Sequence, residues 1–377
     1  MKVLVVSGIW PPDVGGPASH APEVASFLHE RGHEVDVVTT ADAAPAPEAY
    51  PVRWISRSLP KGAVHVRAGA EVARRSRSAD VVYTTGMFGR SAAGATIARR
   101  PYVVKLTADP AFERARRRGV VTGTVDEFQR LRGAGAVRVL RLARDAELRN
   151  AAHIFTPSAY LRELAIGWGV VPDRVSVLPN PTPPLPRLRP RGVLRGELGF
   201  TRPTLVFAGR LGPQKSLRVA LEALAKTDGV DLVIAGDGAE RESLERAVDE
   251  LGLRDRVRFE GAQPRSRVLE LFAAADASVL SSSWENFPHT VVEALAVGTP
   301  VIATATGGVA EVVRGGENGL LVPVGDVDAL AAAIARYLAD GALQERLRAS
   351  ATASVAAYAP ERVYTELEQT LLRTLRA

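Results

Sequence analysis

Short apolar runs rich in β-branched residues alternate with helical patterns along most of the chain. KVLVVSG (2–8), EVDVVTT (34–40), DVVYTTG (80–86), YVVKLT (102–107) and HIFTPS (153–158) are too short for helices and end in or beside Gly, Ser or Thr, which predicts buried parallel strands. Helix-like segments lie between several of them, such as ASHAPEVASFLHERG (18–32), closed by Gly32 at a C-cap. Repeated βαβ units predict an α/β fold with a doubly wound parallel sheet. LPNPTPPLPRLRPRG (178–192) then interrupts the pattern with six prolines, a density that excludes a helix or a central strand and predicts an extended linker. The alternation restarts with PTLVFAGR (203–210), VDLVIAGDG (230–238), RVRFEG (256–261), ASVLSS (277–282), TPVIATATGG (299–308) and GLLVPVGD (319–326). The tail PERVYTELEQTLLRTLRA (360–377) reads as an amphipathic helix able to pack back on the first half.

With 377 residues, two domains are expected: 1–185 with the tail 360–377, and 186–359. In doubly wound sheets ligands bind outside the carboxyl ends of the strands, so two such halves facing each other predict a cleft lined by strand-to-helix loops.

Composition narrows the chemistry. Hydrophobic residues make up 46% and charged residues 24%, as in ordinary soluble proteins. The absence of cysteine excludes disulfides, thiolate metal sites and cysteine nucleophiles and favours a reducing, cytoplasmic setting. The start MKVLVVSGIWPPDVGG is not expected to be a signal peptide, and no apolar run approaches bilayer length. The net charge of +6 is mostly arginine, concentrated in ERARRRG (113–119) and RLRGAGAVRVLRLARDAELR (130–149). A solvated helix face is the simpler reading of that segment. The sharper one is a surface for anionic membrane or phosphorylated acceptors, with peripheral attachment to the membrane's inner face. Sparse aromatics there argue against nucleic acid.

Four stretches at strand ends carry candidate chemistry. Gly15 and Gly16 precede a helix start, where the backbone can approach an anion. FAGRLGPQKS (207–216) falls short of a phosphate-cradling P-loop, because Gln214 stands where glycine is needed and Pro213 precedes it. It leaves Arg210 and Lys215 as cations suited to adjacent phosphates. ATGGVAEVV (305–313) puts Glu311 in a helix's first turn, where capping competes with a ligand role. In ENFPHTVVEA (285–294), Pro288 favours a helix start. Glu285 is then expected in the loop and Glu293 on the helix, with Asn286, Phe287, Pro288, His289 and Thr290 between them. Such carboxylates accept from sugar and ribose hydroxyls, and the apolar residues around Glu293 speak against a solvated face.

Taken together, the Glu285–Glu293 pair, the Gly209–Lys215 segment, Gly15–Gly16 and GGVAEVV (307–313) resemble the retaining glycosyltransferases of family 4, which have the GT-B fold. The resemblance covers nearly the whole chain. It implies two Rossmann-like domains, with a nucleotide-diphosphate sugar on the second and a hydroxyl acceptor (lipid-linked, glycan or natural product) on the first. It implies that Arg210 and Lys215 neutralise the diphosphate, that Glu293 accepts from the ribose, and that Glu285 contacts the transferred sugar. The backbone of residues 286–290 would contact sugar and phosphate, while Gly15 and Gly16 close over the diphosphate. UDP is the donor nucleotide taken from the family.

The chain departs from the family where many members carry a histidine that contacts the sugar. KLTADPAFERA (105–115) places Asp109 there, making Asp109 a catalytic candidate with Glu113 second; the plainer reading is that Asp109 stabilises a turn before Pro110. PNP (179–181) also stands where PNG is usual.

No metal or other cofactor is expected. Asp326 in DVD (326–328) reads as a helix N-cap, and His29 and His33 as surface or packing residues. Rival readings are a sugar-nucleotide epimerase or phosphorylase on the same fold, a non-catalytic sugar-nucleotide binder, and a membrane-surface adaptor.

Overall fold

The computed structural model describes every residue except Val14, Gly15, Ala134, Pro183 and Ala377, and describes Gly16–Ser19 and Lys61 by their backbone. The chain divides into two compact units. Unit 1 is Met1–Asn180 with Glu361–Ala377, and unit 2 is Pro181–Pro360.

Unit 1 is built on seven parallel strands: β1 (Lys2–Ser7), β2 (Glu34–Ala41), β3 (Val52–Ser56), β4 (Val81–Thr84), β5 (Tyr102–Lys105), β6 (His153–Thr156) and β7 (Val175–Val177). Their order is β3-β2-β1-β4-β5-β6-β7. Unit 2 has six: β8 (Thr204–Ala208), β9 (Asp231–Ala235), β10 (Val257–Gly261), β11 (Ala277–Leu280), β12 (Val301–Thr304) and β13 (Gly319–Val322). Their order is β10-β9-β8-β11-β12-β13. All pairings are parallel, and Val3 aligns with Val35 on one side and Val81 on the other. Winding therefore reverses between β1 and β4 and between β8 and β11, the positions where such sheets leave a crevice for ligands.

The strands expected from sequence are present, and β3 and β7 join them at the two edges of unit 1. Both lack the continuous buried run that marks the five strands between them. β3 buries only Ile55 and β7 only Val175, because an edge strand is covered on fewer sides. The core of unit 1 lies on both faces of its sheet, around Val3, Trp10 and Phe155 on one and Leu4, Val104 and Ile154 on the other.

Among the described residues, the proline-rich stretch carries no regular element from Leu178 to Pro190. It ends at a helix, Arg191–Leu198, with Pro190 at its N-cap. The tail forms the helix Pro360–Thr374. Its Val363, Tyr364, Leu367 and Leu371 join the unit 1 core, and Glu368 pairs with His33 at 2.7 Å and Arg31 at 3.3 Å.

Candidate active site

In unit 2 the loop after β8 is fixed by its neighbours. Gly209 N donates to Ala235 O at 3.0 Å, and Leu211 N to Asp237 O at 2.9 Å. A short 3-10 turn, Pro213–Lys215, follows. It is laced to the segment after β11: Gln214 Nε2 donates to Trp284 O at 2.7 Å, Ser283 N to Gln214 O at 2.9 Å, and Ser281 Oγ to Lys215 O at 3.0 Å. Gln214 thus holds two loops together where a P-loop would need glycine.

Two glycines close the arrangement. A Cβ on Gly236 would come within 1.8 Å of Gly209 O, and one on Gly307 within 1.9 Å of Glu285 O. Gly307 also has φ +46°, in the left-handed region. Gly308 N donates to the same Glu285 carbonyl at 3.0 Å, so the loop carrying Glu285 is clamped from two sides.

The helix after β11 runs from His289 to Ala296, with Pro288 at the N-cap and no side chain capping it. Glu285 lies in the preceding loop and Glu293 on the helix, the division that Pro288 implies. Glu285 is 5% exposed. Its Oε1 accepts from Ser282 Oγ at 2.7 Å and from Lys215 Nζ. Buried carboxylates persist when paired and hydrogen-bonded, and Lys215 supplies that pairing. Phe287 packs edge-on against Tyr358 and His289, with ring centroids 5.8 and 5.4 Å apart; Asn286 and Pro288 are buried beside it.

A cavity of about 390 Å³ opens at the ends of β8, β9 and β10. Arg210, Thr290 and Glu293 line it, together with Asp237, Gln263 and Arg265. Arg210 is exposed and makes no ion pair among the described residues. Glu293 is largely buried and pairs with Arg265 Nε at 3.2 Å. Burial pushes its carboxyl above the usual range, against the opposing pull of Arg265. Sequence reasoning did not single out Gln263 and Arg265. Their signal was there in the loop GAQPRS (261–266) after the strand 256–261.

Unit 1 has a second cavity, about 590 Å³, at the ends of β1, β4 and β5. Asp109 has the contacts of its plainer reading, a residue that stabilises the turn before Pro110. It is 1% exposed and caps the helix Pro110–Arg117 by accepting from Ala111 N at 2.8 Å. Its other oxygen accepts from Gln129 Nε2 at 2.9 Å and Arg144 Nη1 at 3.1 Å. Arg144 in turn stacks 4.0 Å over the ring of Trp168, whose Nε1 donates to Gln129 Oε1 at 2.9 Å. Both oxygens are turned into this buried network, and Asp109 does not line the cavity. The neighbouring carboxylate that borders the cavity is Glu113.

Gly15 lies outside the described residues, and Gly16 opens the helix Gly16–Glu30. Asp326 caps the helix Val327–Ala339, accepting from Ala329 N at 2.8 Å, and Asp328 pairs with Lys226. His29 packs edge-on against Tyr50. Glu311 is exposed on a single-turn helix, Val309–Val312. Among the described residues no helix is long and apolar enough to cross a membrane.

Two six- and seven-stranded Rossmann-like units, each with its crevice at a switch point, define the GT-B class of glycosyltransferase structures. The structure superposes on Anabaena Alr3699/HepE in complex with UDP at a TM-score of 0.80, with 22% identity over 99% of this chain and 100% of that one. The model described as glycosyl transferases group 1 matches residues 194–354, and that of the glycosyl transferase 4-like domain matches 15–181. A D-inositol 3-phosphate glycosyltransferase of Xylanimonas cellulosilytica is 30% identical over 91% of this chain and 88% of its own length. The chain belongs to the group 1 glycosyl transferase family. The lipopolysaccharide core biosynthesis glycosyltransferase LpsE of Rhizobium meliloti is 40% identical over 38% of this chain. A D-inositol 3-phosphate glycosyltransferase of Thermomonospora curvata is 38% identical over 50% of it. The matches span 42% and 49% of those two relatives.

Proposed function

We propose that the protein is a retaining glycosyltransferase that moves a sugar from a nucleotide-diphosphate sugar, a UDP-sugar, to a hydroxyl acceptor. The observation that carries this reading is the unit 2 cavity. It brings an unpaired arginine, Arg210, and a buried carboxylate, Glu293, to one crevice, with the Lys215–Glu285 pair on the adjoining loops. Uridine is carried over from HepE, whose structures hold UDP, UDP with glucose, and UDP-glucose.

In this reading Glu293 accepts from the ribose hydroxyls, and Arg210 and Lys215 meet the diphosphate. Lys215 then sits between two anions, the diphosphate and Glu285, and Glu285 accepts from the transferred sugar. The amides at the start of the helix from His289 add positive potential. The bond between the anomeric carbon and the diphosphate oxygen breaks, and the acceptor oxygen bonds to the same face of that carbon. The acceptor's proton passes to the departing phosphate oxygen. Charge grows on the diphosphate as this occurs, so fixed cations favour the transition state over the bound donor. Two cations and a helix start supply this stabilisation without a metal, and no cofactor is required.

The test is calorimetric titration of UDP, GDP, ADP and dTDP into the wild type and into the Arg210→Ala, Lys215→Ala double variant. Micromolar binding of UDP, lost in the variant, is expected. No binding by any of the four would sink the reading; preference for another base would correct the donor.

A further inference from the structure

The unit 1 cavity has a chemistry that the donor site does not explain. Three of its lining residues are arginines, Arg90, Arg114 and Arg117, with Glu113 and Glu147 as the acids. Arg114 and Glu147 neutralise one another through two bonds of 2.8 Å. Arg90 has no such partner among the described residues: its guanidinium meets the ring nitrogen of His65. It is half-buried and near Arg114, and both conditions disfavour its charge against the opposing pull of Glu147.

The backbone at the same wall is polarised in the same sense. Arg90 belongs to the helix Phe88–Ala98, whose N-cap, Met87, offers no side-chain bond. The amides of Phe88 and Gly89 have no partner among the described residues, and both residues line the cavity. A third observation is independent of charge. Thr85 lines the cavity, is 4% exposed, and its buried hydroxyl has no hydrogen-bond partner among the described residues. Buried polar groups are normally satisfied, so a partner is missing from this wall.

We infer that this cavity binds the phosphate monoester of a phosphorylated acceptor, with Arg90 and the first amides of the helix from Phe88 as its anchors. A dianion with three outer oxygens offers acceptors to a forked guanidinium and to backbone amides at once. It also relieves the repulsion between Arg90 and Arg114. The role as acceptor site rests on the glycosyltransferase reading; the binding itself does not.

The probe is methyl phosphate, titrated by calorimetry into the nucleotide-free protein, with acetate alongside. Wild type is expected to bind methyl phosphate and to ignore acetate at the same concentration. Arg90→Gln should weaken methyl phosphate at least tenfold while UDP affinity stays unchanged, which also reports that the variant is folded. Arg149→Gln, an exposed arginine away from the cavity, should leave methyl phosphate binding intact. Equal loss in both variants, unchanged binding in Arg90→Gln, preference for acetate, or no binding to wild type would each overturn the inference. Vesicles containing phosphatidic acid identify the source. Arg90-dependent binding to them assigns a lipid headgroup, and binding of methyl phosphate alone assigns a soluble phosphate. If UDP fails to bind and methyl phosphate succeeds, the donor reading falls and this site stands.

Discussion

Unit 1 and unit 2 wind their strands in the same order around their switch points, yet from those points their cavities extend in opposite directions along the sheet. In unit 2 the cavity lies under β8, β9 and β10; in unit 1 it lies under β1, β4 and β5. The building material differs as well. The unit 2 wall combines small residues at the strand ends, Ala208, Gly209, Ala235 and Gly236, with charges of both signs, and the loops beside it are locked through Gly236, Gly307 and the Gln214 bonds. The unit 1 wall is made of side chains on helices, with arginines from the helices starting at Phe88 and Pro110. One topology thus supports a site whose shape is set by main chain and another whose character is set by charge. Function follows the loops and not the sheet.

That contrast can be broken by mutation. The largest expected effect is on stability in unit 1. Asp109→Ala removes both the N-cap of the Pro110 helix and the buried partner of Arg144, which keeps only the more exposed Asp145 at 2.9 Å, costing roughly 3–5 kcal/mol. Urea denaturation followed by a probe in unit 1 checks it. A loss below about 1 kcal/mol would mean that the network does not hold the Pro110 helix in place. Next is Lys215→Ala in unit 2. It should lower kcat/KM by roughly 10²–10³-fold with the far-UV circular dichroism unchanged. Near-normal turnover would remove Lys215 from the chemistry.

A pH titration separates the two cavities more finely. In the proposed function Glu293 must be ionised to accept from two ribose hydroxyls, and burial has raised its pKa above the ordinary 4.5. Nucleotide affinity should therefore fall as the pH drops through that raised value. Arg265→Gln removes the charge that opposes the shift, so the fall should begin at a higher pH. Isothermal titration of UDP between pH 4.5 and 8 reads both curves; coincident curves would show that Arg265 does not set the ionisation of Glu293. The smallest effect serves as a control outside both cavities. Asp326→Ala removes an N-cap and should cost about 1 kcal/mol, leaving nucleotide and phosphate affinities as they are.

The sequence made the strand-end loops legible because each apolar run ends in a small or polar residue, and the chemistry collects there. Pro288 was enough to separate Glu285 in its loop from Glu293 on its helix. Pairings between distant segments were not legible. Asp109 reads equally well as a ligand or as a cap until Gln129 and Arg144, 20 and 35 residues away, are seen to occupy its outer oxygen. The Arg265–Glu293 pair and the meeting of Arg90 with Arg114 are of the same kind. Periodicity reports which face of an element is buried but not which partner it meets. β3 and β7 escaped notice for a related reason, since edge strands carry a diluted version of the pattern.

The glycines at 236 and 307 also determine how this protein can change. At each, a methyl group would collide with a carbonyl of the opposite loop. No side-chain adjustment relieves such a collision, because the obstacle is main chain. A mutational library aimed at the unit 2 cavity should therefore leave these two positions untouched and vary Gln263 and Arg265, whose side chains line it.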